Sequence, residues 1–126
     1  MKKSVIVLAA VLALVPTAAS ATTFTEFVQH GVDSTGTVVE LLETGTPADL
    51  ESWADETITT LMGFEVEACY AQAWGHQLVS TAIIRDAAIA MQAGDELTAG
   101  AIIEEFLTWN EGFGALLETA TTECLS

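Results

Sequence analysis

The chain has 126 residues, 51% of them apolar, and sets 18 acidic residues against three basic ones, for a formal net charge of −15 at pH 7. Nucleic acid and anionic membrane surfaces recruit clusters of Lys and Arg, so the composition excludes both as partners. Two cysteines permit a single internal disulfide and no four-thiolate metal site.

The first residues, MKKSVIVLAAVLALVPTAASA, place Lys2 and Lys3 before an apolar run from Val5 to Val15, followed by Pro16 and the small residues Ala19, Ser20 and Ala21. That order predicts a secretory signal peptide over residues 1–21, cleaved after Ala21. An apolar run of about 11 residues is well short of the roughly 20 that a spanning helix needs. The expected product is secreted or periplasmic, has no membrane span in its mature form, and comprises a single acidic domain over residues 22–126. Lys2 and Lys3 depart with the signal, leaving Arg85 as the only strong base against 18 carboxylates. Those carboxylates are scattered along the chain, the pattern of a solvated face; the charged partners that fit are a basic protein or divalent cations.

From Phe24 the segment TTFTEFVQHGVDSTGTVVELLETG carries helical spacing at Phe24, Phe27 and Val28, interrupted by Gly31, Ser34 and Gly36. Helix is expected here, with a break at these residues left open, and Val38, Val39, Leu41 and Leu42 in a second short helix or, as the weaker alternative, a strand. Next, Thr46 as N-cap, Pro47 at the first helical position and Asp49 near the third open a second helix, whose face is Leu50, Ala54, Ile58 and Leu61. Gly63 ends it. Val66 to Ile89, and then Ile102 to Cys124, repeat apolar residues at i, i+3, i+4 and i+7 and predict two long arms. Between them, Gly94 supplies a left-handed stop, Asp95 an N-cap and Glu96 a first-turn carboxylate.

Folding at Gly94 makes an antiparallel hairpin in which residues equidistant from the turn meet, and Cys69 and Cys124 are such a pair. In an oxidising compartment they form the disulfide that clamps the open end. One geometric demand follows, because packed helix axes lie about 8–10 Å apart whereas bridged Cα atoms need about 4.4–6.8 Å. The last turn at Cys124 is expected to yield. The fold class is therefore all-α, a small up-down bundle of about four helices with a disulfide-clamped C-terminal hairpin. In this register Arg85 faces Glu104, Glu105 and Glu111, and Gly75 lies near Gly114.

Catalytic signatures are missing: the chain has no GxSxG, P-loop, GxGxxG, HExxH or CxxCH. The segment from Asp33 lacks the calcium-loop ligands, having Thr35 and Thr37 where acids or amides belong. Neither His30 nor His76 follows a glutamate by three positions, as a di-iron bundle would need; Glu26 and His30 are four apart. No metal site, cofactor or catalytic set is expected. Two functions remain. The first is an exported non-enzymatic helical module that binds another macromolecule or serves the envelope as an accessory protein. The alternative is a carrier of a small apolar ligand or metal ion, with Trp74, His76, Trp109 and Phe113 as the residues of an interhelical pocket.

Overall fold

The computed structural model of the protein describes residues 21–125, so the expected signal sequence through Ser20 lies outside the described residues. Five α-helices follow in order: α1 (Phe24–Thr44), α2 (Pro47–Met62), α3 (Ala71–Gln92), α4 (Glu96–Asn110) and α5 (Phe113–Cys124), with a 3-10 turn (Ala68–Tyr70) ahead of α3. They build an all-α up-down bundle in which α3 packs between α2 and α4. Among the described residues no helix is long and apolar enough to cross a membrane.

The expected start signals act as capping boxes. The Thr23 hydroxyl accepts from the Glu26 amide and the Glu26 carboxylate accepts from the Thr23 amide; Thr46 and Asp49 do the same for α2, with Pro47 at its first position. Each box satisfies two amides that would otherwise lack partners. At the hairpin turn Gly94 takes φ +78°. Its amide donates to the Met91 carbonyl at 3.0 Å and the Asp95 amide to the Ala90 carbonyl at 2.9 Å, the paired bonds of a Schellman ending. Asp95 then caps α4 through the Thr98 amide at 3.1 Å. The Thr98 hydroxyl and then its amide, both donating to the Asp95 carboxylate, hold that carboxyl below its ordinary range.

Two findings concern the expected continuity of the helices. The first helix is unbroken over 21 residues. Thr37 and Thr44 bond back to the Asp33 and Glu40 carbonyls, and Gln29 donates to Asp33, so polar side chains that compete with a helix elsewhere are satisfied along its own face. The second arm of the hairpin, by contrast, is divided: α4 ends at Asn110 and α5 begins at Phe113, with Gly112 in the junction. The break turns α5 onto the 3-10 turn and α1.

Cys69 and Cys124 are bonded, with Cα atoms 5.3 Å apart. The yielding element is on the Cys69 side, since Cys69 sits in the 3-10 turn while α5 remains helical through Cys124. The core lies at this end of the bundle: Phe24, Phe27, Leu61, Tyr70, Ala73 and Ala120 are buried together. Toward the other end, buried Ala54, Ala87, Ala88 and Ala99 keep side chains small where the helices approach.

Arg85 corrects a further expectation. It pairs with Asp55 at 2.5 Å and with Glu51 at 3.8 Å on α2, and not with the carboxylates of α4. Gln92 donates to Glu51 at 2.7 Å on the same seam. The hairpin register places residue 85 along α4 but does not say which flank of α3 it occupies, and the α2 flank is the one that it takes.

Candidate functional site

α1 is held firmly at its start. The Thr22 amide donates to the Glu65 carbonyl at 2.9 Å, the Glu65 amide returns a bond to Thr22 Oγ1 at 3.1 Å, and the Tyr70 hydroxyl donates to the Thr22 carbonyl. Phe27 stacks on the Tyr70 ring at 5.0 Å. At its other end a two-residue link joins α1 to α2. Between these anchors its inner face offers Gly31, Thr35 and Val38, side chains too short to close against α3. A cleft results.

Its widest part, about 310 Å³ and half-open to solvent, lies between α1, α3 and α5 and is lined by Phe27, Val28, Gly31, Val32, Thr35, Gln77, Phe113 and Leu117. A side chain at Gly31 would enter open space, since an added Cβ there meets no atom within 4 Å. The lining has no ionisable group, and its volume is at the low end of the roughly 300–1,000 Å³ of small-molecule sites. Such a surface sheds water in favour of an uncharged apolar guest.

Of the four residues expected to form the pocket, His76, Trp109 and Phe113 come together and Trp74 stands apart. Phe113 lines the cleft. His76 stacks on Trp109 at 4.6 Å and on Phe113 at 5.3 Å, so these three rings fill one another's space. Reciprocal bonds fix the group: His76 Nε2 lies 2.8 Å from the Trp109 carbonyl, and Trp109 Nε1 donates to the His76 carbonyl at 3.2 Å. A carbonyl only accepts, so Nε2 carries a proton. His76 thereby closes a helix end, because the Trp109 carbonyl belongs to the last turn of α4. The depression outside it is shallow and is lined by His76 and Trp109 together with Glu104 and Glu105. Trp74 is engaged elsewhere, donating from Nε1 to the Leu61 carbonyl at 2.8 Å at the end of α2. Neither Gly75 nor Gly114 lets helices touch, since a Cβ at either meets nothing within 4 Å.

The sequence reading missed α1 as the cleft's main wall. The available signal was its run of small residues at helical spacing, Gly31, Thr35 and Val38, which looks like helix interruption until the opposite wall is known. Among the described residues no group of three or more His, Cys, Asp or Glu is placed to hold a metal ion.

His30, one turn from the cleft, is half-buried, with Nε2 3.3 Å from Ser34 Oγ and its ring edge-on to Phe64 at 5.4 Å. Burial lowers its pKa below 6.5, more than the nearby Asp33 carboxylate raises it. The unfolded chain therefore takes up the proton first as pH falls. The stability tied to neutral His30 is complete above pH about 6.5 and declines below that value. A His30→Gln variant should lose that part of the decline in thermal melting between pH 7.5 and 5; an unchanged profile would assign it to other groups.

Comparison with protein-family models, curated proteins and solved structures finds no match to this chain.

Proposed function

We propose that this protein is an exported, non-enzymatic helical module that holds a small uncharged apolar ligand in the cleft beneath α1. The observation that carries the reading is the half-open apolar cleft of about 310 Å³ between α1, α3 and α5, walled by Phe27, Val28, Val32, Phe113 and Leu117. That feature moves the small-ligand reading ahead of a macromolecular partner. Export rests on the pattern of residues 1–21 together with the Cys69–Cys124 bond, which persists in oxidising compartments. Cleavage after Ala21 would cut the chain next to Thr22, where its anchoring contacts begin.

Nile red, a neutral dye that brightens in apolar surroundings, tests the cleft. The protein purified from the exported fraction should have an intact mass beginning at Thr22 and bind the dye one-to-one. Gly31→Leu fills the space while improving helix propensity, so it should weaken binding at least tenfold without lowering the melting temperature. Equal dye binding by parent and variant, or none by the parent, would sink the reading.

A further inference from the structure

Two smaller spaces adjoin the cleft. Thr35, Gln77 and Phe113 are shared with a narrower space of about 120 Å³, which in turn shares Ile84 and Phe106 with a third space of about 130 Å³. The three run along α1 from Val28 to Leu42, about 21 Å at 1.5 Å per residue. Both end compartments are lined mainly by apolar side chains. The middle one differs, because Gln77, Ser80 and Asn110 face it together.

Ser80 is the telling residue. It is 4% exposed, and its hydroxyl has no hydrogen-bond partner within the protein. A serine inside a helix ordinarily bonds back to the carbonyl four residues earlier, as the neighbouring Thr81 does to Gln77 at 2.8 Å. For Ser80 that carbonyl is His76, and it already accepts the Trp109 indole. A buried hydroxyl left unpaired is costly, so a ligand atom that accepts from it is favoured. No ionisable side chain lines any of the three spaces, and the surrounding surface is strongly acidic, which disfavours a carboxylate guest.

We propose that the three spaces form one groove for an elongated, uncharged amphiphile, whose single hydrogen-bonding group, a carbonyl oxygen, accepts from the Ser80 hydroxyl at the groove's waist while its apolar arms fill the two ends. This inference rests on the cleft reading and names the chemistry of its ligand. Gln77 and Asn110 are the adjacent polar groups.

The probes are a fifteen-carbon dialkyl ketone with a central carbonyl, the alkane of the same length and the fatty carboxylate of the same length, each competing with Nile red. The ketone should bind about tenfold more tightly than the alkane, and the carboxylate weakest. Ser80→Ala should reduce the ketone's advantage to about twofold, leave the alkane unchanged and raise the melting temperature of the unliganded protein. A ketone no better than the alkane, an advantage that survives Ser80→Ala, or a carboxylate that binds as well as the ketone overturns the proposal. Where Nile red binding depends on Gly31 but no long-chain probe competes, the single cleft stands and the continuous groove falls. Loss of Nile red binding itself removes both.

Discussion

Replacing Cys69 and Cys124 together with alanine should lower the unfolding free energy by about 4 kcal/mol, because the bond closes a loop whose ends are 55 residues apart and so restricts the unfolded chain. A domain of this size has about 5–15 kcal/mol in all. The loss therefore brings the folded state near its limit. Several contacts converge where the bond lies: the 3-10 turn places Cys69 beside Tyr70, and α5 brings Ala120 and Cys124 onto the core. Urea unfolding of the double variant against the parent measures the difference, and reduction of the parent should reproduce it. A loss under about 1 kcal/mol would mean that the packing of α5 alone holds this end together.

Tyr70→Ala should cost about 3–5 kcal/mol, the range for removing a large buried aromatic ring. The residue is 1% exposed. Its ring stacks on Phe27 and lies 6.1 Å from Phe24, joining the first turn of α1 to the start of α3. Burial also raises the pKa of the phenol, which keeps it protonated as the donor to the Thr22 carbonyl. Tyr70→Phe separates the two contributions, because it keeps the ring and removes only that bond, at about 1 kcal/mol. Calorimetry of both variants checks the order. If Tyr70→Phe proves as damaging as Tyr70→Ala, the hydroxyl anchor outweighs the ring stacking. Combined with the cysteine variants the effects should not add, since residues 69 and 70 support the same packing.

Local rules made most of the fold legible. Thr46, Pro47 and Asp49 announced α2, and Gly94 with Asp95 announced the hairpin turn, because a cap needs only its own neighbours. The Cys69–Cys124 bond followed from there being only two cysteines in a chain that reads as exported, and the turn midway between them agreed with it. What escaped depended on distant groups. The gap beneath α1 exists because Phe113 and Leu117 stand far enough away to leave it open, and hydrophobic period says which face points inward, not how closely it is met. Phe113 was singled out as a pocket residue, yet the wall opposite it, Val28 to Thr35, looked like an interrupted helix. Ser80 gave no signal at all, for its missing bond arises from the indole of Trp109, 29 positions later in the chain.

Beyond residue 21 Arg85 is the only Lys or Arg, so a trypsin-like protease has one peptide bond to attack, Arg85–Asp86. That bond lies well inside α3, beneath a guanidinium already engaged with Asp55 and Glu51. Cutting there waits on transient opening of the helix, which ties the rate of digestion to the population of the opened form. Even a completed cut releases nothing, because Cys69 and Cys124 fall on opposite sides of it and keep the two pieces in one molecule.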